Sequence, residues 1–441
     1  MHSIHLIRFI VPSMLALTMN AVAAPVQLAS DFASDPASRW WLEARRQAAG
    51  FVVLTVANMP VPGFCRLAAS AIIHDVPLTV LYWNHSLPQS ISMRHGRRQG
   101  WQLLKYRSIS SALNPTSGLL ASGVEHERTD ERDIVAFVDG FDTFFVNSAA
   151  KLVDTFRKST ASASNKHKIV MSAECNKSPT SIDYGPKNLG AELPYVNSGV
   201  LMGDVGKVRE LSTFIDGALE HLSQVLCADE ISQRTFNSKV KVSPPPEMRV
   251  DYLRGLENGT DPVKLAKTMG VRAVEHIVSK LKCTGLPGVS DQLFAHYAYL
   301  LGVANLGLDM RASLCLSMFS CHRRGRAGFS PEDAVNSSLF SRTGQISVRP
   351  IKIRENDIIF NNMKREGFQS SPSIVHANGN RKFRNWEYGL AQALRSPALN
   401  VGCVRTIGPG GDDRCRSYVQ LGCKASMLSI CDPASIGCKL S

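Results

Sequence analysis

From Phe51 onward, short apolar runs alternate with longer stretches whose apolar residues recur at helical spacing. Phe51-Val52-Val53-Leu54-Thr55-Val56 is rich in β-branched side chains and predicts a buried strand. Phe64 to Ile73 carries helical spacing, and Val76 to Trp83 reads as a second strand. A helix from about Gly100 to Leu113 precedes the apolar run Ile134-Val135-Ala136-Phe137-Val138, and a helix near Ala149 to Lys158 precedes a strand at Lys168 to Ser172. Strands joined by helices of this length predict an α/β fold with a doubly wound, mainly parallel sheet. In such sheets ligands lie beyond the carboxyl ends of the strands.

The later chain is less regular. Tyr195 to Gly203 reads as a strand entered through a tight turn of small residues. Residues 205–289 carry mostly helical patterns around Pro244-Pro245-Pro246 and read as a helical insertion. Ser290 and Asp291 open another helix, a serine and an acid being suited to an N-terminus. A last strand, Ser373-Ile374-Val375, runs into His376-Ala377-Asn378-Gly379-Asn380-Arg381-Lys382. The main domain is thus expected at residues 45–390.

Both ends differ from this body. An apolar stretch from Leu6 to about Leu17 is too short to span a bilayer comfortably, and Ala21-Val22-Ala23 has the small-x-small form of a cleavage site. Residues 1–23 are therefore expected to be a signal peptide, with an uncleaved anchor as the competing reading. Five of the 11 cysteines (Cys403, Cys415, Cys423, Cys431, Cys438) fall in residues 400–441, among few large apolar side chains. Such a segment needs disulfides to hold a shape, and reads as a small Cys-rich module appended to the main domain. A secreted or endoplasmic reticulum/Golgi luminal location is expected. Four Asn-x-Ser/Thr sequons, at Asn84, Asn176, Asn258 and Asn336, permit glycosylation in a eukaryotic host.

The formal net charge of +13 raises nucleic acid as a partner. The secretory start argues against it, and no basic stretch is interleaved with aromatics as single-strand binders require. Anionic ligands such as nucleotide sugars fit better. No segment beyond the leader resembles a transmembrane helix.

The chemistry concentrates in Asp139-Gly140-Phe141-Asp142, where a strand ends in two carboxylates. Asp and Gly also end ordinary strands as turn residues, and paired acids at a strand's carboxyl end suit a hard divalent cation. Trp83 and Trp101 are aromatic candidates for stacking on a base or sugar.

In order along the chain, Leu54-Thr55-Val56-Ala57, Leu103-Leu104-Lys105, Phe137 to Asp142, Ser172-Ala173-Glu174, Asn197-Ser198-Gly199, Ser290 to Phe294, Leu308-Asp309 and Val375 to Gly379 resemble segments of one family. It is the glycosyltransferase domain of the procollagen lysyl hydroxylase/glycosyltransferase family, which has a GT-A fold and uses UDP-sugars and manganese. The resemblance implies a metal set of Asp139, Asp142 and His376, with Mn2+ as the cation and Mg2+ as the alternative. It implies contacts from Thr55, Ala57, Lys105, Asp139, Asn197, Gly199, Asn378, Gly379 and Lys382 to the UDP-sugar. Oxygen ligands with one imidazole suit manganese on chemical grounds as well.

Asp291 matches the last acid of a family run facing the transferred sugar and the acceptor, here thinned because Ser290 precedes it. With Asp142 it is the catalytic candidate. An inverting reaction would use Asp291 as general base, and a retaining one would use it to stabilise positive charge on the sugar ring. The expected activity is transfer of a hexose, glucose or galactose foremost, from a UDP-sugar to a protein or glycan hydroxyl. Without a His-x-Asp pair for an iron site, lysyl hydroxylation is not expected. The competing readings are a metal-dependent phosphoesterase and an inactive carbohydrate-binding or interaction protein.

Overall fold

The computed structural model describes residues 38–86, 104–114, 132–161, 168–174, 195–225, 291–310, 312–317, 372–376, 398–408 and 412–424, and short strand segments between 347 and 370. The first half of the fold runs α1 (Ser38–Gln47), β1 (Val52–Val56), α2 (Pro62–Ile73), β2 (Leu78–Leu81) and a helix α3 at residues 104–112. It continues through β3 (Ile134–Val138), β4 (Thr143–Phe145), α4 (Ala149–Ala161), β5 (Ile169–Glu174), β6 (Tyr195–Asp204) and α5 (Val205–Val225). Then come α6 (Asp291–Leu301), β7 (Gly307–Asp309) and β8 (Cys315–Ser317). Five short strands, β9 to β13, lie between Ser347 and Ser370 and pair among themselves. The chain closes with β14 (Ile374–His376), α7 (Ala398–Val401), β15 (Cys403–Ile407) and β16 (Asp413–Ser417).

Eight strands form the central sheet in the order β16-β15-β2-β1-β3-β6-β5-β7. β15, β2, β1 and β3 are mutually parallel, as are β5 and β7. β6 runs antiparallel to both its neighbours. The result is the mainly parallel α/β sheet expected, with a GT-A-like architecture. Successive residues of a strand point to opposite faces, and both faces are covered. Val52, Leu54 and Phe137 pack with Ile109, Val208, Leu211 and Phe294 on one side. Val53, Val80, Ala136 and Val138 pack with Phe64, Leu67, Ile72 and Phe156 on the other.

Two features of this topology aim the site. Because β6 is reversed, its first residues lie beside the carboxyl end of β3, where Val138 pairs with Val200 and the Asp139 amide donates to Gly199 O at 2.8 Å. A second, three-stranded sheet in the order β4-β14-β8 sets His376 opposite Thr143, the residue after Asp142. Sequence-distant segments thereby converge on one turn.

Two segments pack into the main domain. α5, placed at the start of an insertion, belongs to the core: Val208, Leu211 and Ile215 are buried because its apolar stripe packs on the sheet. Residues 226–290 lie outside the described residues, as do residues 1–37 with the expected signal peptide. Residues 403–424 are not a self-contained appendage. β15 extends the central sheet beside β2, and Tyr418, Leu421 and Cys423 join the main core, so this segment does bury apolar surface. Disulfides do stabilise it, Cys403–Cys415 within the hairpin and Cys65–Cys423 to α2. Among the described cysteines Cys315 is free and buried. No helix among the described residues is long and apolar enough to cross a membrane.

Arg405 and Asp413 form a fork across the β15–β16 hairpin, with Nε to Oδ1 at 2.9 Å and Nη2 to Oδ2 at 2.6 Å, and both side chains almost fully buried. Removing one partner of such a pair leaves the other charge uncompensated. Arg405→Met is expected to cost about 3 kcal/mol in urea unfolding, and Arg405→Met/Asp413→Leu to recover most of that. Equal losses in both variants would contradict the coupling.

Candidate active site

The acid turn is shaped by what lies beneath it. A Cβ on Gly140 would stand 2.7 Å from Val56 O and 3.1 Å from Thr55 Oγ1, so a glycine is needed for the turn to cross the end of β1 so closely. Thr55 is fully buried, and its hydroxyl donates to Val138 O at 2.8 Å, tying the ends of β1 and β3 together. The Ala57 amide donates to Leu81 O at 3.2 Å. Both residues therefore stand at the strand end predicted for them, with the Thr55 side chain spent on the turn.

Past Gly140, the turn presents Asp139 and Asp142 toward His376. His376 Nε2 lies 3.3 Å from Asp142 Oδ1 and 3.6 Å from Asp139 Oδ2. One ligand atom from each of the three residues falls within 4.8 Å of the others. His376 is buried, yet its Nε2 has no aligned hydrogen-bond partner among the described residues. A buried ring nitrogen set between two carboxylates, with no well-aligned hydrogen bond to either, fits a ligand of a divalent cation.

Asn197 orients that imidazole. Its Oδ1 receives the Gly199 amide at 3.0 Å, its Nδ2 donates to Glu174 Oε2 at 3.2 Å, and the Ser172 hydroxyl is shared between Asn197 O at 2.8 Å and Oδ1 at 3.1 Å. Donors on one side and a carboxylate on the other fix the amide in a single orientation. His376 Nδ1, 2.8 Å from Oδ1, then carries a proton, so that in the neutral ring the Nε2 lone pair faces the acids. Gly199 allows this approach, since a Cβ there would collide with the His376 ring.

Lys105, near the start of α3, inserts an almost fully buried ammonium on the other side of the acid turn. Its Nζ donates to Asp139 Oδ1 at 2.7 Å, to Ser198 O at 2.8 Å and to Asp291 Oδ2 at 2.9 Å. Ser198 Oγ also donates to Asp291 Oδ2, at 3.1 Å. Asp139 is thus shared, one oxygen held by Lys105 and the other turned toward His376. Asp291, the first residue of α6, joins the cluster.

The charges are strongly coupled. Burial alone would depress the Lys105 ammonium, but Asp139 and Asp291 outweigh it and raise its pKa. Burial raises the Asp139 carboxyl against the pull of Lys105. For Asp142, burial is overcome by the imidazole of His376, which lowers its pKa. For His376, burial is likewise overcome, by Asp142 first and then Asp139, so its pKa rises above the ordinary histidine value.

The structure therefore brings together Asp139, Asp142, His376, Lys105, Asn197, Gly199 and Asp291, and sets Thr55 and Ala57 beneath them. Asn378, Gly379 and Lys382 lie outside the described residues, as does Trp101. Trp83 is buried, with its ring 5.0 Å from that of Phe64, and forms part of the core instead of a stacking platform. The sequence reading did not assign roles to Ser172, Glu174 and Gln292. Glu174 is buried at the end of β5, and Gln292 donates to its Oε1 at 2.5 Å and to Val196 O at 3.2 Å. The available signal was position, because each of the three sits inside or beside a segment that carried the family resemblance.

Asn197→Leu removes the acceptor that holds the His376 tautomer. Titration is expected to show Mn2+ affinity roughly 10- to 100-fold lower with the fold retained. Unchanged affinity would contradict the orienting role.

Residues 47–224 match the family described as the PLOD GT domain. No curated protein matches the chain. The matched span holds the acid turn, Lys105 and the Asn197 hub, while Asp291 and His376 lie beyond it. Over residues 47–224 the chain carries a PLOD-like glycosyltransferase domain.

Proposed function

We propose that the protein is a metal-dependent glycosyltransferase that moves a hexose, glucose or galactose foremost, from a UDP-sugar to a hydroxyl of a protein or glycan acceptor. The observation that carries this reading is the buried Nε2 of His376, facing Asp142 at 3.3 Å and Asp139 at 3.6 Å at the carboxyl end of β3. Asp139, Asp142 and His376 would hold the cation, Mn2+ by its tolerance of mixed oxygen and imidazole ligands, with Mg2+ as the alternative. When bound, the cation supplies Lewis-acid neutralisation of charge on a departing diphosphate.

The chain's own groups do the positioning. Lys105 holds Asp139 by Oδ1 and so leaves Oδ2 directed at the site. Thr55 and Ala57 mark the end of β1, where the nucleoside would rest along the crevice formed by the strand ends. Asn197 and Gly199 would form the wall beside the donor sugar, where a glycine at 199 lets the backbone come close, and the family resemblance assigns Asn378, Gly379 and Lys382 to the UDP moiety. Asp291 receives Lys105 and Ser198 on the same oxygen, Oδ2. Its Oδ1 has no hydrogen bond among the described residues and is the oxygen assigned to substrate. In an inverting reaction it would take the proton of the acceptor hydroxyl, and in a retaining reaction it would stabilise positive charge on the ring. Asp142 would contribute by holding the cation. The two disulfides support an oxidising, extracytoplasmic compartment.

Calorimetry with UDP is expected to show binding that requires Mn2+, and Asp142→Ala is expected to lower it at least about 100-fold with an unchanged circular dichroism spectrum. Metal-independent binding, or an Asp142→Ala variant that binds as well as the parent, would refute the reading. Release of UDP across UDP-glucose, UDP-galactose and their N-acetyl forms then identifies the sugar.

Proton and cation compete for His376 Nε2. The histidine pKa is raised, so protonation opposes binding from a pH above the ordinary histidine value downward, and affinity rises as pH increases through that range. Mn2+ affinity at about pH 6 is expected to be roughly tenfold or more below that at about pH 8. A flat profile would remove His376 from the ligand set.

A further inference from the structure

The C-terminal hairpin lies closer to the acid turn than its place in sequence implies. Cys423 is bonded to Cys65 in the first turn of α2, across 358 residues of chain. Two residues before Cys65, Gly63 sits against the backbone carbonyl of Phe141, where no Cβ could fit. Further along α2, Ser70 Oγ accepts the Phe145 amide at 3.0 Å. One helix thus braces the acid turn on both sides, at Phe141 beside Asp142 and at Phe145 in β4.

The hairpin in turn braces the helix. Gly422 adopts a positive φ of 78°, and a Cβ there would lie 3.2 Å from Pro60, in the segment leading into α2. Tyr418, Leu421 and Cys423 are buried with Phe64, Cys65 and Leu67 in the same core that contains Val138 and Phe145. At the upper end of β15 the Trp83 amide donates to Ile407 O at 3.2 Å, and the Trp83 ring packs on Phe64. The contact runs without a gap from Cys423 through Cys65 and Gly63 to Phe141 and Asp142.

We infer that the hairpin, through the Cys65–Cys423 disulfide, is a positioning element of the cation site: it presses the first turn of α2 against the Phe141 carbonyl and holds Asp142 in line with His376. Cys65 and Cys423 are positioning residues. The consequence for cation binding rests on the function proposed above, and the structural coupling does not.

The test compares Cys65→Ala/Cys423→Ala with Cys403→Ala/Cys415→Ala, which opens the disulfide inside the hairpin and leaves the link to α2 in place. Amide hydrogen exchange is followed in residues 139–145, with β5 as the internal reference, and Mn2+ binding is measured in parallel. The first pair is expected to speed exchange in 139–145 about tenfold relative to β5 and to weaken Mn2+ binding about tenfold, while the second changes either less than about twofold. Cys65→Val/Cys423→Ala, which fills the space of the lost sulfur, replaces the first pair should that fail to fold. Unchanged exchange in 139–145, or an equal rise with both pairs, would overturn the inference. A parent protein that binds no Mn2+ would instead refute the cation site, and the exchange comparison would still decide the coupling.

Discussion

The hydrogen bond between Asn197 Oδ1 and His376 Nδ1 governs the chemistry of the site. An imidazole offers one nitrogen as donor and the other as acceptor, and only the partner of one decides the role of the other. Here that partner is an amide whose own orientation is fixed by Ser172, Gly199 and Glu174. Without that anchoring, His376 could satisfy itself by turning toward either acid, and the three ligand atoms would have no common focus.

The fold supplies the anchoring through strand direction. A parallel β6 would carry its first residues to the amino end of β3, away from the acid turn. Reversed, it places Asn197, Ser198 and Gly199 against Asp139. Ser198 and Lys105 then extend the cluster to Asp291, so one buried ammonium joins the acid proposed for the cation to the acid proposed for the substrate. Lys105 is costly to bury alone and is tolerated because two carboxylates and a carbonyl surround it. Its removal would leave Asp139 and Asp291 without the cation that joins them.

Much of this was legible from residue order. The runs at Val52–Val56 and Ile134–Val138 are apolar on both faces, which marks strands covered by helices, and the acid pair stands at the end of one of them. Lys105, Asn197, Gly199, Asp291 and His376 were reached through a resemblance of short segments, and all five converge. What the sequence concealed follows from long-range geometry. Nothing local in Thr55 tells that its hydroxyl would be spent on Val138 O, or in Trp83 that its ring would be packed on Phe64. Glu174 went unassigned because a lone acid at a strand end has no partner in its own segment; its partners are Asn197 and Gln292. The Cys-rich tail looked separable because its own residues are too few to form a core, yet they complete one that already exists.

The central claim is that His376 contributes its Nε2 to a cation held with Asp139 and Asp142. Pulsed electron paramagnetic resonance of the Mn2+-loaded protein tests it most directly, since a coordinated imidazole couples its nitrogen to the metal spin. A nitrogen coupling is expected in the parent protein and should disappear in His376→Ala. A spectrum showing oxygen ligands alone, or a nitrogen coupling that survives His376→Ala, would contradict the account.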